Sequence, residues 1–124
     1  MIVTDHSGKI EPFFRLIESP SLSSTKEQRT IGKKHQIIYV PTITLTELLE
    51  KNGISKIDFL SMDIEEGELA ALRGFDIKRF KPELVCIEAN SSKILRYLTQ
   101  HDYEFLKEYL KYDKINWYFK PRIK

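Results

Sequence analysis

The sequence predicts an α/β fold built on parallel strands, and three features of a single stretch predict it. Residues 57–90 contain two short apolar runs, Ile57–Ile64 and Glu83–Ile87, the second closed by Glu88. Between them, Gly67–Gly74 carries a helix former at nearly every position and a glycine at each end. Strand, helix and strand joined by short connections make a crossover unit, whose two strands lie parallel and adjacent. Both strands end in carboxylates: Asp63 and Glu65 after the first, Glu88 after the second. Ligands of open α/β sheets bind beyond the carboxyl ends of the strands. The three acids therefore mark the candidate functional end of the sheet.

The elements follow in order. Met1–Thr4 is a short apolar stub before the turn composition Asp5-His6-Ser7-Gly8. Ile10–Ile17 has strand character, and Pro12 assigns it to an edge. The serine-rich Ser19–Ser24 and the polar run Thr25–Lys34 read as a long loop, a feature that compact domains keep for function or mobility. His35–Val40 reads as a strand ending at Pro41. Thr44 and Glu47 form a Thr-x-x-Glu capping box that opens a helix. Leu45, Leu48 and Leu49 share its apolar face, and Gly53 supplies a left-handed stop. The near-continuous apolarity of 57–64 implies burial on both faces. Glu65, Glu66 and Glu68 crowd the start of the next helix, where the dipole favours negative charge, and Gly74 ends that helix. Asn90, Ser91 or Ser92 caps a further helix with a buried stripe of Ile94, Leu95 and Leu98. Residues Tyr103–Tyr112 fit a strand by their aromatics and a helix through Leu106, Tyr109 and Leu110.

Composition narrows the class. A chain of 124 residues is one domain at most. With 41% apolar and 31% charged residues it has the make-up of a packed globular protein. A net charge of +2 argues neither for nor against an anionic partner. The single cysteine, Cys86, forms no internal disulfide and sits in an apolar run, which reads as a buried thiol in a reducing compartment. No run reaches membrane-spanning length, and the N-terminus lacks the pattern of a signal peptide. The expected location is the cytoplasm, with neither membrane nor nucleic acid as partner. His6, His35 and His101 are scattered without metal-ligand spacing, so no zinc site is expected and no metal ligands are assigned. The lysines interleaved with Tyr112, Trp117, Tyr118 and Phe119 suit either a base-stacking surface or a hairpin with alternating faces, and the hairpin is the reading adopted.

Three segments carry a family resemblance: TITLTELL (42–49), IDFLSMDIEEGELAALRGF (57–75) and KPELVCIEA (81–89). In this order and spacing they resemble the C-terminal half of the FkbM-family methyltransferases. The likeness covers roughly residues 1–120 and is most specific over 42–90. It implies a partial Rossmann-like, class I methyltransferase sheet, with parallel strands 57–64 and 83–88, a crossover helix and a C-terminal antiparallel hairpin. It also favours a strand at Tyr103–Tyr109 paired with Ile115–Phe119. Asp102 stands where the family usually has glycine, and aspartate tolerates the left-handed conformation. The family run Asp-(Val/Ile)-Glu-Gly-x-Glu-Leu reads here Asp63-Ile64-Glu65-Glu66-Gly67-Glu68-Leu69. Asp63, Glu65, Glu68 and Leu69 match, while Glu66 occupies the usual glycine position and Gly67 follows one place later.

By resemblance the chain transfers a methyl group from S-adenosylmethionine, chiefly to hydroxyl oxygens of sugars and secondary metabolites. A small-molecule or glycan acceptor would then meet Asp63, Glu65 and Glu88 as catalytic residues. Such acids orient a hydroxyl, act as general base or hold a divalent ion. No two of Gly8, Gly32, Gly53, Gly67 and Gly74 form the G-x-G of a cofactor turn, and no ribose-binding acid follows a second strand. Against the family, residues 1–124 read as one incomplete domain that lacks the N-terminal cofactor-binding strands, so weak cofactor binding is expected. An edge at 57–64 would then recruit an N-terminal half or a second copy. Two other classes stand beside this one: a non-catalytic remnant serving as an interaction module, and a metal-dependent nuclease using Asp63, Glu88 and Lys93. For the nuclease the usual Glu-x-Lys is missing, since position 90 is Asn.

Overall fold

Among the described residues, seven strands sort into two sheets, one in each of two compact units. The computed structural model describes residues 1–88 and 91–123. The first unit comprises Met1–Leu48 with Ile64–Phe75, and the second Leu49–Asp63 with Asp76–Lys124. The fold is mixed α/β, and each sheet contains a parallel pair.

In the first unit, β1 (Ile2–Val3) runs parallel to β3 (His35–Ile43), and β2 (Ile10–Leu16) runs antiparallel to it, in the order β1-β3-β2. Edge strand β2 carries Pro12 without loss of a ladder bond. The Phe14 amide points outward to the Ser24 carbonyl at 2.8 Å, and the nitrogen two residues earlier points the same way. Strand β3 does not stop at Pro41 as the sequence suggests; it continues to Ile43. The Thr42 amide faces β2, donating to Lys9 at 2.8 Å, so the Pro41 nitrogen faces the other side. There β1 pairs with Thr42 and Ile43 alone, and no bond is forfeited at Pro41. The long loop contains two short 3-10 turns, Pro20–Leu22 and Glu27–Thr30.

Helix α1 (Leu45–Lys51) starts where the capping box places it, with the Thr44 hydroxyl accepting from the Glu47 amide at 3.1 Å. Gly53 beyond it has φ +68, the left-handed stop. Helix α2 (Glu68–Arg73) ends at Gly74 for another reason. Its φ is −91, ordinary for any residue, but a Cβ there would collide with the Thr4 carbonyl and press on Asp5 and Thr44. Close backbone approach, not handedness, demands glycine at this position.

The second unit holds β4 (Phe59–Met62), β5 (Leu84–Glu88), β6 (Tyr103–Phe105) and β7 (Asn116–Pro121), ordered β4-β5-β7-β6. Strands β4 and β5 are parallel, with Phe59 opposite Leu84 and Met62 opposite Ile87. Strand β7 is antiparallel to both β5 and β6. Strand β4, an edge of this sheet, is shorter than the apolar run predicts. The Asp58 carbonyl is taken by the amides of Glu83 and Leu84, which closes the ladder at its start. Burial on both faces holds for Val85, Cys86 and Ile87 but not for β4, where Leu60 and Met62 are buried while Phe59 is 52% exposed. A short apolar run does not by itself distinguish one buried face from two.

Between the strands of this pair the chain passes through α2 and α3 (Ile77–Phe80), the latter capped by Asp76 on the Arg79 amide at 3.1 Å. Helix α4 (Ser92–Gln100) is capped by Ser91, which accepts from the Lys93 amide at 3.1 Å. The alternative cap Asn90 lies outside the described residues. Ile94 and Leu98 are buried and Leu95 half-buried, as the stripe predicts. Asp102 has φ +63, the left-handed conformation expected there. The strand predicted over 103–109 is realised only at Tyr103–Phe105; Lys107–Lys111 forms a 3-10 turn. The helical periodicity of Leu106, Tyr109 and Leu110 prevails once Leu106 has made the last cross-strand bond, to the Tyr118 carbonyl at 2.8 Å. Trp117 and Phe119 pack against Phe105, as the hairpin reading requires, whereas Tyr112 stands 77% exposed. No helix among the described residues is long and apolar enough to cross a membrane.

Tyr103 ties β6 to the entrance of β5. It is 4% exposed, and its hydroxyl donates to the Pro82 carbonyl at 2.5 Å. Burial pushes the phenol up to about 12, because a phenolate here loses its hydration. A raised folded value means that this stability is intact below the unfolded tyrosine value of about 10. It is lost as pH climbs from there towards about 12. Phenolate absorbance should show Tyr103 ionising late among the six tyrosines, and Tyr103→Phe should remove its late step. Uniform titration of all the tyrosines would contradict the burial argument.

Candidate functional site

The register of the parallel pair decides what its carboxyl end presents. Because Met62 lies opposite Ile87, the next residues along the two strands, Asp63 and Glu88, are neighbours. A carboxylate oxygen of one lies within 4.8 Å of a carboxylate oxygen of the other. Asp63 is exposed and Glu88 half-buried, so the pair combines access with partial shielding. A hydroxyl placed between them meets two acceptors, either of which can take its proton. Carboxylate oxygens at this separation also suit a hard divalent cation. On the other side of Glu88, Asn116 of β7 is its register partner. Asn116 is itself fixed by Asp113, which accepts from its backbone amide at 2.9 Å and its side-chain amide at 3.1 Å. These bonds, together with one from the Ile115 amide, hold the Asp113 carboxyl below the usual carboxylate range.

Glu65, the third predicted acid, belongs to the first unit and has a different environment. It lies in the turn between β4 and α2, where Glu65 and Glu66 both adopt left-handed backbone, with φ +52 and +71. For a residue with a Cβ this conformation costs about 1–2 kcal/mol. Gly67, one place beyond the family's usual glycine position, has φ −92 and needs no special freedom. Four contacts hold the strained pair. The Ser24 hydroxyl donates to the Glu65 carbonyl at 2.9 Å. Arg29 reaches both side chains, with Nη2 on Glu65 Oε2 at 2.6 Å and Nη1 on Glu66 Oε2 at 3.2 Å. Glu68 Oε1 accepts from the Ile64 amide at 3.3 Å.

Glu68 is fully buried, and its Oε2 has no partner among the described residues. A buried acceptor left unmatched costs about 1–3 kcal/mol. Its position at the start of α2 agrees with the predicted helix-start charge, but its task also includes fixing the turn. Glu65 thus spends its carboxylate on Arg29 within the first unit.

Sequence reasoning missed Ser24, Arg29 and Asn116. The first two sit in the segment read as a loop, and no spacing rule links them to a turn some forty residues later. Among the other candidates, Cys86 is buried, as predicted. His6 lies between Asp5 and Glu11, each at 2.6 Å, and the hydrogen bond to Asp5 raises its pKa above the ordinary value. His35 contacts the Lys33 carbonyl, and His101 contacts the Tyr97 carbonyl and stacks on the Tyr97 ring. Ser7 accepts from the Thr44 amide at 2.9 Å, a structural duty.

Comparison with known proteins adds one match. The family model described as the methyltransferase FkbM domain matches residues 1–108. No curated protein and no solved structure matches the chain.

The family glycine corresponds to Glu66, the position with the more positive φ of the two. Glu66→Gly should therefore be at least as stable as the parent, because relief of strain offsets the loss of an exposed contact to Arg29. Glu66→Val should be about 2 kcal/mol less stable than Glu66→Gly, since β-branching worsens the left-handed conformation. Urea midpoints measure the difference. Equal tolerance of valine and glycine would contradict the assigned backbone.

Proposed function

The chain belongs to the FkbM methyltransferase domain family, and from that premise we propose that it serves transfer of a methyl group from S-adenosylmethionine to a hydroxyl oxygen of a sugar or secondary metabolite. On this reading the parallel pair with its antiparallel C-terminal hairpin is the acceptor side of a Rossmann-like sheet. The observation that carries the proposal is the adjacency of Asp63 and Glu88 at the carboxyl ends of β4 and β5. In open α/β sheets that end is where ligands bind.

S-adenosylmethionine supplies an electrophilic methyl group on a sulfonium when bound. Its usual cradle is a glycine turn that lets backbone approach the ligand closely. Gly67, which follows β4, does not fit that role. Ile64 Cδ1 lies 3.3 Å from the place its Cβ would take, so the chain itself fills the position. The roles assigned here therefore concern the acceptor.

An alcohol is a poor nucleophile until its proton has somewhere to go. Asp63, exposed at the end of β4, accepts the hydroxyl proton as general base. Glu88, half-buried beside it, takes a second hydrogen bond from the acceptor and fixes its orientation. Glu65, engaged by Arg29 in the other unit, is assigned no part in the proton transfer.

The assignment is tested by release of S-adenosylhomocysteine in the presence of hydroxylated acceptors. Asp63→Asn should lower kcat by roughly a hundredfold or more, with a much smaller change in KM for the cofactor. Glu104→Gln, on the opposite edge strand, should leave both unchanged. Equal effects of the two substitutions would contradict the role given to Asp63.

A further inference from the structure

The long loop predicted over residues 19–34 contributes two side chains, Ser24 and Arg29, to the Ile64–Gly67 turn. We propose that Arg29 is the positioning residue of that turn, its guanidinium bridging Glu65 and Glu66 and so replacing the glycine that a left-handed backbone otherwise calls for. Two nitrogens of one planar group meet two different carboxylates, at 2.6 and 3.2 Å. Consecutive carboxylates repel each other, and a cation between them turns that repulsion into a common attachment. A guanidinium suits this because its donors form a fixed fork, whereas an ammonium is a single point charge.

Arg29 is itself held in place. It lies in the 3-10 turn Glu27–Thr30, where the Thr30 hydroxyl donates to the Glu27 carbonyl at 2.7 Å, and its Nε donates to the Leu22 carbonyl at 3.4 Å. Ser24 anchors the same segment to β2 through a reciprocal backbone pair with Phe14, at 2.8 and 3.1 Å. From that anchor its buried hydroxyl reaches the Glu65 carbonyl. The segment acts as a strap from the sheet to the turn. Its bearing on catalysis rests on the reading that the turn carries an acid of the methyl-transfer reaction; its bearing on backbone conformation does not.

The test is nuclear magnetic resonance of the full chain, reading φ at Glu65 and Glu66 from amide–Hα couplings and opening of the turn from exchange of the Ile64 amide. In Arg29→Gln the left-handed signature at Glu66 should be lost, and the Ile64 amide should exchange roughly tenfold faster. Arg29→Lys, which keeps one charge without the fork, should fall between the two. Glu66→Gly should keep the turn, and in Arg29→Gln/Glu66→Gly the turn should persist with near-parental exchange. If Arg29→Gln fails to fold, recovery of folding in the double variant supports the proposal equally. An unchanged turn in Arg29→Gln would overturn it. So would equal loss, of the turn or of folding, with and without Glu66→Gly. Because no readout depends on methyl transfer, failure here is distinguishable from failure of the functional reading.

Discussion

Parallel pairing of Phe59–Met62 with Leu84–Glu88 is the constraint on which the candidate site depends. A slip of one residue would turn Leu60 and Met62 to the open face and carry Asp63 out of line with Glu88. Several contacts prevent it. The Asp58 carbonyl takes the amides of Glu83 and Leu84, and Ile57 donates to Phe80 at 3.4 Å, so the strand entrances are locked together. Pro82, in the same approach, accepts from buried Tyr103 and thereby joins the antiparallel edge to the parallel pair. Beyond β5, Phe119 packs fully buried in register with Val85. The acids at the carboxyl end inherit their spacing from this sheet, and strand positions hold side chains more firmly than loops do.

The three acids show how similar residues acquire different duties. Asp63 and Glu88 face each other across a strand pair, where one acceptor can meet both. Glu65, only two residues from Asp63 in the chain, is neutralised by Arg29 and carried on strained backbone. Strain of this kind persists only where surrounding contacts over-determine it. Here they do so from three directions: the Ser24 hydroxyl, the Arg29 guanidinium and the Glu68 carboxylate. The cost of burying Glu68 is understandable as part of the same arrangement, since it fixes the amide that opens the turn.

Much of this was legible in the sequence because the signals are local. The parallel pair followed from two apolar runs separated by a helix-forming segment, and the cap at Thr44 from a residue that satisfies a free amide three positions on; for the last helix three neighbouring candidates stood open, and Ser91 is the one used. Asp102 was readable as left-handed because it stands where the resembling family has glycine and its side chain tolerates that conformation. Lengths were less legible: β3 runs on through Pro41, and the strand at Tyr103 gives way after Phe105, because hydrogen bonds to distant partners decide where a ladder stops. The turn was not legible for the same reason. Glycine is the usual sequence mark of left-handed backbone, yet the left-handed residues are Glu65 and Glu66 and not Gly67. What makes them tolerable is a guanidinium 36 residues away from Glu65 in the chain, and no periodicity or spacing records such a contact.

The central claim is that Asp63 and Glu88 act together on one acceptor. A double-substitution cycle on kcat/KM for methyl transfer, with Asp63→Asn, Glu88→Gln and the pair, tests it most directly. Groups acting as a unit are strongly non-additive, so the double variant should lose little more than the worse single one. Losses that multiply independently, or an absence of loss in either single variant, would contradict the account.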